Sequence, residues 1–189
     1  MTMKYKVIRE CDYITTRWSG GTTSQIMIWP ENAVFSQRRF QWRISKATVE
    51  NGESKFTRMD GFHRELYMMT GKTVLHFPEE EKCMEPGEII HFNGESEIWS
   101  VGCGTDLNLI MKNGVDGCME ENEFNVGNIV EIEKKRKWKH CLIYMVSGKV
   151  LGKNLEITAG NSILITPDNR DEIVLAAKEK TKVVVCYIF

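Results

Sequence analysis

The feature that most constrains this chain is an internal repeat. Leu66-Tyr67-Met68-Met69-Thr70-Gly71-Lys72-Thr73-Val74-Leu75 resembles Leu142-Ile143-Tyr144-Met145-Val146-Ser147-Gly148-Lys149-Val150-Leu151. The likeness continues in order: Met84–Ile90 matches Ile157–Ile163, Glu97–Trp99 matches Glu172–Val174, and Leu107–Ile110 matches Val183–Cys186. A sequence repeated at this spacing specifies the same supersecondary unit twice. Its unit is read as a hairpin closing at a glycine, a Pro/Ala-Gly turn into an apolar strand, a second turn, and two more strands.

Turn dipeptides from Gly20-Gly21 to Ala159-Gly160 separate short runs rich in Val, Ile, Phe, Tyr and Trp, an all-β pattern. Expected strands include Glu65–Met69, Glu88–Phe92, Glu97–Val101, Leu107–Met111, Leu142–Val146, Ser162–Thr166, Glu172–Ala176 and Lys182–Phe189. Only Asn32–Gln37 and Glu79–Lys82 offer room for a helical turn. The repeated strand order is the antiparallel jelly-roll plan of cupins. The expected architecture is therefore a duplicated cupin (an RmlC-like jelly roll), two small β-barrels packed as one bicupin unit. Its halves are 1–115 and 116–189, joined where Gly, Asn, Asp and Glu cluster in 113–125.

With 189 residues and 42% hydrophobic content, the chain can bury a real core. A formal net charge of -1 gives no global attraction to nucleic acid or anionic membrane, so neither is expected as a partner. The basic run Lys134–His140 reads as a solvated loop or edge. No segment approaches the ~18 apolar residues of a membrane span, and no signal-like run follows the N-terminus, so a cytoplasmic location is expected. The six cysteines lack CxxC or zinc spacing and read as reduced structural thiols.

Metal-binding cupins carry two histidines and a glutamate before the hairpin glycine and a third histidine after the Pro-Gly turn. Here the glutamate position falls on Arg64, and the histidine positions fall near Arg58–Asp60. His91 lies within its strand, short of the expected turn. The four histidines show no HxH or HxxxH pairing, so no metal or other cofactor is expected.

Polar residues of the first half suggest an anion site instead. In Phe40-Gln41-Trp42-Arg43-Ile44-Ser45-Lys46-Ala47, a strand puts Phe40, Trp42 and Ile44 on one face and Arg43, Ser45 and Ala47 on the other. A guanidinium inside a β-fold needs an anionic partner, and its fork suits a carboxylate. Arg64 is the second such group. Asp106 and Asn108 share one face of a later strand and would orient the arginines or hydrogen-bond a ligand. Either arginine would equally serve in an internal ion pair with Asp106 or Asp60. Trp18 and Thr23 flank a Ser-Gly-Gly turn that permits close backbone approach to a ligand.

Taken together, Trp18–Ile26, Trp42–Val49, Ser54–Thr57, Gly61–Arg64, Phe92–Gly94 and Asp106–Met111 resemble the HutD/Ves family in content and order. That resemblance implies a bacterial cytoplasmic double-cupin protein, associated with histidine utilisation or stress response and with no firmly attached enzymatic activity. By analogy the ligand would be a small carboxylate such as formylglutamate or urocanate. The expected binding set is Trp18, Thr23, Arg43, Ser45, His63, Arg64, Asp106 and Asn108, with no catalytic residue and no metal ligand. A homodimer stays open. The rival reading is an enzyme, either a metal-dependent cupin using His63, His91 and Asp106 or a metal-free catalyst with His63 as acid/base.

Overall fold

A computed structural model describes residues 5–130, 138–152, 154–166 and 174–189. The basic run, apart from Trp138–His140, and the first residues of the strand expected at Glu172–Ala176 lie outside the described residues. Two compact units emerge, Tyr13–Asp116 and Met1–Asp12 with Gly117–Phe189. The first strand thus departs from the division expected at 115/116: β1 (Tyr5–Ile8) pairs antiparallel with Ser162–Ile165 of the second unit. Tyr5 and Val7 alternate with Lys6 and Ile8, but no local signal names the strand they pair with.

In Tyr13–Asp116, β2 (Ile14–Trp18), β3 (Gly21–Trp29), β4 (Trp42–Val49), β5 (Glu53–Lys55), β6 (Phe62–His76), β7 (Glu81–Met84), β8 (Ile89–Asn93) and β9 (Trp99–Lys112) form one wrapped sheet. Its order is β2-β3-β4-β9-β6-β7, with β5 also on β9 and β8 also on β6. The other unit adds β10 (Gly117–Phe124), β11 (Ile129–Val130), β12 (His140–Ser147), β13 (Lys149–Gly152), β14 (Leu155–Thr158), β15 (Ser162–Ile165), β16 (Leu175–Ala177) and β17 (Thr181–Ile188). These make two sheets, β1-β15-β12-β17-β10 and β11-β16-β13-β14.

Pairing repeats between the units. Strand β12 lies between β15 and β17 as β6 lies between β8 and β9, and β13 pairs with β14 as the end of β6 pairs with β7. One detail differs from the sequence expectation. Gly71 does not close a hairpin, because β6 runs through it, and the hairpin to β7 turns beyond His76. At Gly71 φ is +81, the register against β9 shifts between Met68 and Thr70, and a Cβ would lie 2.2 Å from the Cys103 carbonyl oxygen. The glycine is required by a bulge at a close backbone approach, the usual way a strand bends at a barrel corner. Gly148, at φ +83, stands where the chain leaves β12 for β13 and so passes from one sheet to the other.

Similarly, Trp99–Val101 of the expected segment Glu97–Val101 and the expected strand Leu107–Met111 belong to one long strand, since β9 continues through Gly102 and Gly104 opposite the β6 bulge, while Glu97 and Ile98 precede it. The short 3-10 turn Phe35–Gln37 falls within the segment expected to hold a helical turn, whereas Glu79–Lys82 leads into β7.

The units differ in what fills them. Between the sheets of the second lies an apolar cluster that includes Val130, Ile143, Val150, Ile157, Ile163, Leu175 and Val185. In the first, apolar groups collect around Leu66, Met68, Leu75, Met84, Ile90, Phe92 and Ile98, and around Ile28, Phe40, Met59, Phe62 and Ile110. Buried polar side chains also concentrate there: Arg43, Ser45, Arg64, Asp106 and Asn108. Burying such groups is costly unless they find partners, so their concentration marks the region where chemistry overrides packing.

Candidate functional site

The site is built on three adjacent strands. Strand β9 lies between β4 and β6, and Ile110 pairs in register with Arg43 on one side and Arg64 on the other. Alternation then places Ser45 opposite Asn108 and Ala47 opposite Asp106 on the same inward face. The opposite face of β4 carries Trp42 and Ile44, both fully buried, which anchor the strand and leave its arginine no rotation away from the interior.

These residues line a cavity of ≈ 380 Å³ that also includes Trp18, Thr23, Phe35, Lys55, Phe56 and Thr57. Of the binding set expected from the sequence, Trp18, Thr23, Arg43, Ser45, Arg64, Asp106 and Asn108 are brought together here. His63 is not. It lies on the other face of β6, with its ring centroid 5.4 Å from that of His91. Adjacent strand residues point to opposite faces, so His63 and Arg64 cannot serve one cavity.

Arg43 is fixed by neutral partners. Its Nε donates to Gln25 Oε1 at 2.9 Å, its Nη1 donates to Ser45 Oγ at 2.9 Å, and its guanidinium lies 4.2 Å from the centroid of the Phe35 ring. Arg64 donates from Nη2 to the Thr57 carbonyl and lies between the rings of Phe56 and Phe92 at 5.9 and 6.0 Å. Its Nε is buried without an acceptor. Among the described residues, neither guanidinium has a carboxylate within ion-pair distance. Hydrogen bonds and aromatic faces orient these cations but do not neutralise them.

Both arginines are lowered to a pKa of about 10, Arg43 by burial and then by the Arg64 charge, Arg64 by burial against the opposing attraction of Asp106. Both remain charged at neutral pH. Burial pushes the Asp106 carboxyl up to about 7, and the attraction of Arg64 only partly opposes that rise. Asp106 therefore gives incomplete compensation for two cations. Its Oδ1 and Asn108 Oδ1 are both buried without a hydrogen-bond partner.

Trp18 forms part of the wall through the β2–β3 hairpin, where its indole Nε1–H donates to Thr23 Oγ1 at 3.1 Å. A Cβ on Gly20 would lie 2.0 Å from Trp18 Cζ3, so the glycine makes room for the indole to fold back. Sequence reasoning missed Gln25, Phe35 and Lys55 as individual contributors. Gln25, Lys55, Phe56 and Thr57 all sit within segments that carry the family resemblance, but the contact of Gln25 to Arg43 and those of Phe56 and Thr57 to Arg64 have no signature in spacing.

The residues do not fit a cupin metal centre. Among the described residues, no group of three or more His, Cys, Asp or Glu is placed to hold a metal ion. Arg64 occupies the position where a ligand carboxylate would be expected, and Asp106 faces the cavity that His63 does not line. His91 is exposed on β8, with Nδ1 4.0 Å from Glu65 Oε1.

Several solved structures share this fold. A conserved protein of unknown function from Pseudomonas aeruginosa PAO1 is similar over 98% of each chain, with a TM-score of 0.80 and 17% identity. HutD from Pseudomonas fluorescens SBW25, solved in a formate condition, gives a TM-score of 0.73 at 19% identity over 98% of this chain and 100% of that one. The bacterial pirin YhhW from Escherichia coli, in complex with nickel(II), gives 0.71 at 10% identity, covering 97% of this chain and 98% of that one. A cupin 2 conserved barrel domain protein from Leptotrichia buccalis is also similar, with a TM-score of 0.61 and 14% identity over 100% of this chain and 98% of that one. The fold is that of the cupins. No curated protein sequence matches the chain. The HutD family model matches residues 10–185, nearly the whole chain and all the strands that build the cavity, and the protein belongs to the HutD family.

Proposed function

We propose that this cupin-fold protein binds a small carboxylate in the cavity of Tyr13–Asp116, using Arg43 and Arg64 as the anion clamp. The observation that carries this reading is the pair of buried guanidiniums lining one cavity with no carboxylate within ion-pair distance among the described residues. A buried cation without a counter-charge is costly, and a ligand carboxylate removes that cost while accepting forked hydrogen bonds. Phe35, Phe56, Trp18 and Ile110 supply apolar wall for the body of the ligand. The formate condition of the HutD structure from Pseudomonas fluorescens is compatible with a carboxylate at such a site.

Recognition without turnover fits this set better than catalysis. His63 is turned away from the cavity, and the acid it does contain is pressed between burial and a cation rather than paired with a nucleophile. A regulatory role, sensing an acid in histidine utilisation or stress response, follows the family resemblance. Calorimetric titration with formate, acetate, urocanate and formylglutamate tests the reading. Saturable binding of at least one acid that is abolished in Arg43→Ala is expected; no binding to any of them overturns it.

A further inference from the structure

The face of β6 opposite the cavity carries a group of side chains that the anion clamp leaves unused. His63 and Glu65 stand two residues apart on that face, and their in-register partners on β8 are Asn93 and His91. The two histidines are therefore diagonal neighbours across one strand pair, within reach of each other. Their ring centroids lie 5.4 Å apart, with the planes inclined at 44°. His91 Nδ1 lies 4.0 Å from Glu65 Oε1, too long for a hydrogen bond. On the other side of β6, His63 and Glu65 pair with Met111 and Leu109 of β9, which bring no charge.

These separations are close to those of ligands sharing one ion. A Zn–N bond of about 2.0–2.1 Å puts an imidazole centroid roughly 3.2 Å from the metal, and two such rings at the tetrahedral angle lie about 5.2 Å apart. The N···O edge of the same tetrahedron is roughly 3.4 Å, so Glu65 stands about 0.6 Å short of the third position. As they stand, the three side chains are not closed around one point. His91 can supply the adjustment, since its side chain is 59% exposed while that of Glu65 is 13% exposed. Exposed side chains change rotamer within nanoseconds.

We propose that His63, His91 and Glu65 form a binding site for a divalent transition-metal ion of the zinc class. Two imidazoles and a carboxylate suit Zn2+, whereas Mg2+ and Ca2+ take oxygen ligands. Three protein ligands leave a fourth position to water. The site differs from the cupin centre in both face and ligands, and none of its three side chains lines the cavity. Among the described strands β8 pairs only with β6, so an ion held by His91 together with His63 and Glu65 ties β8 to the sheet. The proposal is independent of the carboxylate reading, whose arginines lie elsewhere.

Calorimetric titration of zinc chloride into the untagged full chain tests the site at pH 7.5, above the ordinary imidazole pKa of about 6.5. Saturable binding with a Kd of about 10 µM or tighter is expected, and none with magnesium chloride. Exposed thiols at Cys11, Cys83 and Cys103 and the His76–Glu81 pair are alternative surface ligands, so variants assign the ion. His91→Gln should weaken Zn2+ binding by ~tenfold or more, the loss that follows removal of even an outer supporting partner. Because His91 is exposed, the metal-free variant should melt with the parent. His76→Gln should bind within about twofold of the parent, as expected of a surface change away from the site. Absence of saturable Zn2+ binding in the parent overturns the proposal, and so does a smaller loss in His91→Gln or a larger one in His76→Gln. Equal binding of Mg2+ overturns the assigned metal class.

Discussion

Arg43 and Arg64 stand level with one another on either side of β9, each paired in register with Ile110. Two strand spacings separate their backbones by about 10 Å, near enough for long side chains to converge on one small anion. Two like charges converging on one cavity raise the cost of one another, and the Arg64 charge adds to burial in lowering the pKa of Arg43.

That mutual cost gives opposite outcomes for stability and binding. Arg64→Met keeps much of the side-chain volume and removes one of two buried like charges. The ligand-free variant should melt at the same temperature as the parent or higher, because replacing a buried, unneutralised ion by an apolar group is often stabilising. Carboxylate affinity should fall by ~10–100-fold, the range for losing hydrogen bonds between charged partners. Differential scanning fluorimetry with and without ligand measures both. A variant that melts well below the parent yet binds as tightly would make Arg64 a structural residue.

Asp106 predicts a pH dependence with a definite sign. Its carboxyl rises from 3.8 to about 7 on folding, so the folded chain holds a proton that the unfolded chain has released. The stability linked to this proton is present below about pH 4 and is lost as pH rises through about 7, at roughly 1.4 kcal/mol per pKa unit. Denaturant unfolding of the parent and of Asp106→Asn should therefore diverge between pH 4 and pH 8, with the variant gaining relative to the parent by a few kcal/mol. Parallel stability curves would show that Asp106 is not perturbed in this way.

The bulge at Gly71 carries a further expectation. Gly71→Ala should destabilise the chain by more than ~1 kcal/mol, since the residue has φ +81 and its Cβ would meet the Cys103 carbonyl oxygen at 2.2 Å. Gly52→Ala shares a positive φ but has open space around its Cβ, so it isolates the backbone term alone. Chemical denaturation should rank Gly71→Ala as the more damaging of the two.

His63→Ala should leave carboxylate affinity within about twofold of the parent, the size of effect expected of a surface change away from the site. Its ring contacts His91 on the face of β6 opposite Arg64. A large loss of affinity would place the binding face on the other side of the strand.

The sequence by itself determined the all-β class, the repeat and the face on which Arg43 must lie, because turn residues and two-residue alternation are local properties of the chain. It also placed Arg64, Asp106 and Asn108 among the residues to watch, through type and strand position. It misplaced His63 by treating a motif as a site, although alternation separates that residue from its neighbour Arg64. It also read Gly71 as a hairpin turn, since a glycine at a turn and a glycine at a bulge look alike until the partner strand is known. Only the tertiary structure decided that β4 and β6 both flank β9, which levels the two arginines and places Asp106 and Asn108 beside them. It also decided that Gln25, Phe35 and Thr57 hold the arginines without neutralising them. Register between strands distant in sequence depends on the whole sheet's hydrogen bonds and packing, and no periodicity within one strand encodes it.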